Sequence, residues 1–212
     1  KSRGNVVSPQ EVTEHFGADV LRLWVFSTRY SEDVRISQEI LERTTDAYRK
    51  IRNTLKYLLG NLYDFKPASS LPYAELLEVD RWTLLKLSGL IREVTEAMEA
   101  FEFHRAFQTL HQFCVIEMSS FYLDLLKDRL YTLSSDGHER RSGQTVLYQI
   151  WGTLCRLLAP LLSFTAEEAF QGTLGEGASF HLQDWPQANP LWDDPELGKR
   201  WERLLVLREA VL

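Results

Sequence analysis

SQEILERTTDAYRKIRNTLKYLLGNL, residues 37–62, is the stretch of sequence that decides the fold. Its apolar side chains recur at steps of three and four residues, and Leu41, Ile51, Leu55 and Leu58 are the clearest members of the series. Steps of this size place side chains on one face of an α-helix. The stretch therefore predicts a long helix that begins after Ser37 and packs lengthwise against neighbouring helices.

Three further apolar patterns with the same spacing follow, over residues 84–101, 103–126 and 146–161. Polar breaks that contain proline or glycine separate the patterns at residues 64–72 and 134–139. Strand patterns do not alternate with these helices, which argues against a parallel α/β domain. We expect an all-α protein built on an antiparallel bundle of four long helices.

A small helical module is expected before the bundle. Ser8 can cap a short helix, Pro9 suits its first position, and Gly17 can end it. Asp19 can then cap the next helix. With the polar connector that follows, these two helices make a linker module over residues 1–36.

The end of the bundle is marked by a proline. Pro160 should kink or end the fourth long helix, and Thr165 with Glu168 could cap a short helix after it. We therefore assign residues 37–172 to the bundle. Residues 173–212 are rich in glycine and proline at first, and they predict an irregular extension followed by the start of a helix that is cut off.

The composition is that of an ordinary globular protein. Of 212 residues, 44% are hydrophobic and 25% are charged, which excludes a disordered tail or a collagen-like fibre. No apolar run reaches the roughly 18 residues that a membrane span needs, and the first residues lack the apolar core of a signal peptide. The net charge is −6, so nucleic-acid binding would need a local basic patch.

Recognisable catalytic motifs are absent from the sequence. It contains no nucleophile elbow, no HExxH zinc motif and no glycine-rich phosphate loop. Cys114 and Cys155 lie in apolar stretches and are interpreted as reduced core residues. His104 and His111 share a helical face but lack a third ligand, so we expect no metal site.

One helix carries a concentration of basic side chains. Arg49, Arg52 and Lys56 share a face of it, Lys50 lies beside them, and Asn53 lies on or next to the same face. Arginine binds phosphate bidentately, and asparagine can read the edge of a base. The same pattern also fits an ordinary solvated helix face in an acidic protein.

A second basic cluster flanks the break at residues 134–139. It consists of Lys127, Arg129, Arg140 and Arg141, offset by acidic neighbours in the sequence. Two basic clusters near helix ends or on one exposed face could form an RNA-binding edge on a negatively charged protein.

Several short segments resemble the isoleucine, leucine, valine and methionine branch of the class I aminoacyl-tRNA synthetases. KSRGN resembles the end of the KMSKS loop of that class, with Lys1 and Ser2 at its last two positions. GADVLRLW (17–24) resembles the segment after this loop, and LAPLLSFTAEEAF (158–170) resembles the end of the anticodon-binding bundle.

Other segments narrow the resemblance to the bacterial isoleucyl-tRNA synthetase family, and together they cover nearly the whole chain. They are RYSEDVRIS (29–37), AYRKIRNTLKYLLGNL (47–62), FEFHRAFQTLHQFC (101–114), SSFYLDLLKDRLYT (119–132), RRSGQTVLY (140–148) and HLQDWP (181–186).

The resemblance implies a fragment that runs from the end of the KMSKS loop through the anticodon-binding domain. The parent enzyme would attach isoleucine to tRNA(Ile) with ATP and Mg²⁺, and Lys1 would stabilise the charge on the ATP phosphates. The chain lacks the family's catalytic and editing domains, so we expect the fragment itself to be inactive. A zinc module would lie only beyond residue 212.

The resemblance also implies the partners. We expect the chain to contact the anticodon arm of tRNA(Ile) and the catalytic domain of the same parent chain, in the cytoplasm, and to bind neither DNA nor a membrane. Two alternatives stay open. The chain could be the anticodon-binding domain of a valine-type synthetase, or a helical scaffold whose basic helix is only a solvated face.

Overall fold

The structure is a computed structural model that describes residues 7–171 and 179–211. Helices make up 77% of it, and no strand occurs in these two ranges, as the all-α prediction required. The α-helices of the described residues are α1 (Pro9–Phe16), α2 (Ala18–Ser27), α3 (Gln38–Asn61), α4 (Glu78–Glu99), α5 (Phe103–Gln112), α6 (Leu123–Thr132), α7 (His138–Leu158), α8 (Ser163–Gln171) and α9 (Pro195–Val211).

Helix α3 forms as its apolar spacing predicts. The Ser37 side chain accepts a hydrogen bond from the Ile40 amide at 3.3 Å and so caps the first turn. Ile51, Leu55 and Leu58 are almost completely buried along one face. This face packs on α7 and on the helix that contains α5 and α6, which makes α3 one of the four columns of the bundle.

The third column is a single helical rod that changes its winding in the middle. Residues Phe113–Tyr122, between α5 and α6, form a π-helix, whereas the sequence predicted an uninterrupted helical pattern there. The hydroxyls of Ser119 and Ser120 donate to the carbonyls five residues earlier, at 2.8 and 2.9 Å. The wider turn changes which residues lie above one another along the rod but does not interrupt the rod. The spacing of apolar residues therefore does not reveal the π-helix.

The rod, α3, α4 and α7 surround one apolar core. α4 packs on α5 and α7, and α3 packs on α7 and the rod, so α3 and α4 occupy opposite corners of the bundle. Leu87, Val94, Leu110, Leu126 and Leu154 are among the core side chains that are fully buried. None of the helices in the described ranges is both long enough and apolar enough to cross a membrane.

Helix α2 is hydrogen-bonded to the residues that follow α7. The Arg22 guanidinium donates to the carbonyls of Pro160 and Leu161, at 2.6 and 3.2 Å. Pro160 lies just beyond α7, which ends at Leu158 as expected. These contacts join the predicted linker module to the bundle.

Asp19 does not cap its own helix, as the sequence suggested, but caps α8. Gly17, with φ 90°, precedes α2 and leaves Asp19 in the first turn of that helix. The buried Asp19 carboxylate accepts from the Thr165 amide at 2.7 Å and from the Thr165 hydroxyl at 2.6 Å. The capping pair of Thr165 with Glu168 was therefore a wrong prediction, because an acceptor 146 residues away serves this helix start.

The C-terminal residues pack against the bundle through aromatic contacts. The Trp201 ring of α9 stacks on Trp82 of α4 with 5.0 Å between centroids, and Arg200 pairs with Glu78 at 2.8 Å. The segment before α9 contains short 3₁₀ turns at Phe180–Leu182 and Pro190–Trp192. Phe180 and Trp192 from these turns are buried.

Both cysteines lie in the core, as predicted. Cys114 in the π-helix and Cys155 in α7 are completely buried and unpaired. Burial raises the pKa of each thiol to about 12, since a thiolate would be poorly solvated there.

Candidate nucleic-acid interface

An exposed cationic stripe runs along the outer face of α3. Arg49, Asn53 and Lys56 define this α3 stripe, and all three are exposed. Their spacing of four and then three residues keeps them within about 40° of one line along the helix. Arg49 is 69% exposed, and its ion-pair partner within the described ranges is the equally exposed Asp46, at 3.3 Å. Asn53 is not buried against a neighbouring helix, so its amide is available to a ligand.

Two further basic residues of α3 flank the stripe on opposite sides. Lys50 lies towards the rod and is exposed; its positive charge and the burial of His111 together lower the pKa of that imidazole, burial more strongly. Neither Lys50 nor Lys56 forms an ion pair within the described ranges. An unpaired ammonium that is already in solvent can bind a phosphate without first breaking an internal contact.

Arg52 lies on the opposite side of the stripe from Lys50 and binds a side chain of α8. Its guanidinium grips the Glu168 carboxylate with two hydrogen bonds of 2.6 and 2.7 Å, and it also approaches the Tyr48 hydroxyl at 3.4 Å. The hydrogen bonds from Arg52 hold the pKa of Glu168 below its usual range. The pair links α3 to α8, so Arg52 is held by the fold although 44% of its side chain is exposed.

Arg129 of the second basic cluster belongs to the interior. It is 14% exposed and binds both oxygens of Asp80, which is completely buried, at 3.0 and 2.6 Å. The Tyr122 hydroxyl donates to the same carboxylate at 2.7 Å, and Ser142 donates to it as well. Burial, followed by the charge and the hydrogen bond of Asp80, raises the pKa of Tyr122 well above its ordinary value.

Arg140 also binds a carboxylate of the fold. It is 5% exposed and pairs with Asp64, three residues beyond the end of α3, at 2.6 Å. Burial opposes ionisation of Asp64, but the hydrogen bonds from Arg140 and Gln144 outweigh it and lower the carboxyl pKa. Both guanidiniums are engaged by carboxylates of the fold, which gives Arg129 and Arg140 a structural role, and their contact with RNA stays a prediction.

The remaining predicted residues are divided between surface and interior. Lys127 is exposed and pairs with Asp124 at 2.7 Å. Arg141 is half-buried and donates to Gln144 at 2.9 Å. Lys1 lies outside the described residues. Within the described ranges, no group of three or more histidine, cysteine or carboxylate side chains could hold a metal ion.

The second cluster lies at the end of the bundle where α3 and α6 finish. Arg140 donates to Asp64 at the end of α3 and to the Leu130 carbonyl near the end of α6. Tyr63 and Tyr131 expose their rings at this end, and the sequence interpretation did not single them out. A signal for Tyr63 was present, because residues 49, 53, 56, 60 and 63 continue the spacing of the α3 stripe.

Comparison with known proteins identifies the family of the chain. Residues 80–211 match the family model described as the anticodon-binding domain of tRNA ligase, and residues 1–37 match that of class I tRNA synthetases (I, L, M and V). The whole chain is 49% identical to the isoleucine–tRNA ligase of Caldanaerobacter subterraneus and 48% identical to that of Kosmotoga olearia. It spans 23% of the length of each of these relatives.

A solved structure shares the fold at low sequence identity. It is the ternary complex of the Agrobacterium radiobacter K84 agnB2 LeuRS with tRNA and LeuAMS, and it matches with a TM-score of 0.68 and 22% identity. The match covers 91% of this chain and 22% of that one, and it bears on the fold alone. From the family match over most of its length, the chain belongs to the anticodon-binding domains of tRNA ligases, and the relatives that it resembles from end to end are isoleucine–tRNA ligases.

Proposed function

We propose that this chain holds the anticodon arm of tRNA(Ile) for an isoleucine–tRNA ligase, and that the α3 stripe is its main contact with the RNA backbone. The observation that carries the proposal is the contrast between the basic residues. Arg129 is bound by the buried Asp80 and Arg140 by the half-buried Asp64. Lys50 and Lys56, in contrast, are exposed beside Arg49 and Asn53 and form no ion pair within the described ranges.

The chemistry of these side chains suits a stem and loop of RNA. Lysine and arginine neutralise the phosphates of the stem, which fixes the position of the RNA without reading its sequence. The Asn53 amide carries both donors and an acceptor and can pair with the edge of an unpaired base. Placement of these groups on one helix gives a rigid surface about two turns long.

The parent enzyme supplies the rest of the reaction in this proposal. It joins isoleucine to tRNA(Ile) with ATP and Mg²⁺ in the cytoplasm, on a catalytic domain that the leading helices of this chain contact. Lys1 would stabilise the ATP phosphates there. By itself the chain binds RNA without activating an amino acid, and its expected partners include neither DNA nor a membrane.

Titration of a tRNA(Ile) transcript into the 212-residue chain at a series of salt concentrations tests this proposal. Three phosphate contacts predict that the logarithm of the association constant falls with the logarithm of salt concentration with a slope of about −2 to −3. A scaffold whose basic helix is only solvated predicts no binding at any salt concentration, and that result would refute the proposal.

A further inference from the structure

Two tyrosine rings stand out at the end of the bundle where α3 and α6 finish. Tyr63 is 78% exposed and lies two residues beyond the last residue of α3; Tyr131 is 63% exposed and lies in the last turn of α6. Rings that are this exposed gain little from packing within the chain. Neither ring is part of the hydrophobic core that the helices form between them.

The hydroxyl end of each ring lies near a polar group of the bundle. The Tyr131 hydroxyl lies near that of Tyr57, which donates to the Leu123 carbonyl at 3.2 Å. The Tyr63 hydroxyl lies beside the Arg140 guanidinium, whose pKa is raised first by its hydrogen bond to Asp64 and more weakly by this phenol. Tyrosine has only two side-chain torsions, so an exposed ring of this kind loses little conformational freedom when another ring stacks on it.

The two rings and the α3 stripe belong to one surface. Arg140 ties the end of α3 to the end of α6, because it binds Asp64 and the carbonyl of Leu130, the residue before Tyr131. Between Lys56 and Tyr63 the surface is open, since a Cβ atom added to Gly60 would meet nothing within 4 Å. An RNA backbone on the stripe can therefore continue towards the rings without meeting a side chain at this point.

We propose that Tyr63 and Tyr131 stack on unpaired bases of the anticodon loop while the α3 stripe holds the adjoining phosphates. This inference rests on the proposed function and adds the residues that receive the bases. Unpaired bases of RNA loops are commonly bound by stacking on aromatic side chains, and the π-faces of all four bases can stack in this way. Stacking at Tyr63 and Tyr131 would hold the loop open while Asn53 reads an edge.

Substitution of both rings tests the inference. The double variant Tyr63→Leu, Tyr131→Leu removes both rings. Its affinity for the tRNA(Ile) transcript should be roughly tenfold or more weaker than that of the unchanged 212-residue chain. Tyr63→Phe with Tyr131→Phe keeps both rings and should stay within about threefold of the unchanged chain. Tyr30→Leu is the matched control, because Tyr30 is 66% exposed but bonds to the Phe101 carbonyl at the far end of α4.

Two different failures can be told apart in this experiment. If the leucine variant binds as tightly as the unchanged chain while salt still weakens binding, the tyrosines do not stack and only this inference is overturned. If the unchanged chain binds no tRNA, the proposed function fails and the inference fails with it. Circular dichroism of each variant shows whether a loss of binding reflects a loss of folding.

Discussion

Replacement of Asp80 by alanine should lower the free energy of unfolding by about 3–5 kcal/mol, because it leaves a buried charge without its partner. The Asp80 carboxylate is inaccessible to solvent and accepts hydrogen bonds from Arg129, Tyr122 and Ser142. These donors belong to α6, the π-helix and α7, while Asp80 belongs to α4. One carboxylate therefore joins three of the four columns of the bundle.

Urea denaturation of the alanine variant measures this effect, and Glu168→Ala is its control. Glu168 also binds an arginine with two hydrogen bonds, but it is 62% exposed, so its removal should cost at most about 1 kcal/mol. Arg129→Ala and the double variant complete a cycle, in which the double variant should lose less than the sum of the single losses. An Asp80→Ala loss as small as that of Glu168→Ala would contradict the buried network.

Arg49→Ala combined with Lys56→Ala should weaken tRNA binding by roughly 1–3 kcal/mol. The slope of the logarithm of the association constant against that of salt concentration should also become less steep, by the contribution of about two phosphate contacts. The midpoint of thermal unfolding should hardly change, because Arg49 has only an exposed partner and Lys56 has no ion pair within the described ranges. Binding titrations at two salt concentrations, with a melting curve of each variant, measure both quantities.

The control for this variant removes the same amount of charge from other surfaces. Arg43 is 77% exposed on α3 but lies about 120° around the helix from Arg49, and Lys199 is 64% exposed on α9. Arg43→Ala with Lys199→Ala should leave tRNA affinity close to that of the unchanged chain. Equal losses in both double variants would mean that net charge, and not the α3 stripe, governs binding.

The helices were predictable because apolar spacing is a local property. The steps from Leu41 to Leu58 determine which face of α3 is buried, and Pro160 determines where the last long helix ends. Which helices lie side by side depends on contacts between distant residues, so spacing could not reveal that α3 and α4 occupy opposite corners. Asp19 and Thr165 illustrate the same limit, because each was assigned a local partner and they pair with each other.

For a similar reason, the sequence could not separate exposed basic residues from those that pair with carboxylates inside the fold. Arg49 and Arg129 look equivalent in the sequence, since each lies in a helix near acidic residues. Their surroundings differ because Arg129 binds the buried Asp80, 49 residues earlier in the chain, whereas Arg49 is exposed and pairs with the exposed Asp46. Charge patterns locate basic residues, but the position of distant carboxylates decides which of those residues stay free.

Competition between two RNAs tests the central claim most directly, which is that this chain recognises tRNA(Ile) through its anticodon arm. The 212-residue chain is bound to a labelled tRNA(Ile) transcript, which is then displaced by the same transcript either unlabelled or with a changed anticodon. Recognition of unpaired loop bases predicts that the changed transcript competes roughly tenfold less well or worse. Equal competition by the two transcripts would contradict the claim and would leave only contacts with the phosphate backbone.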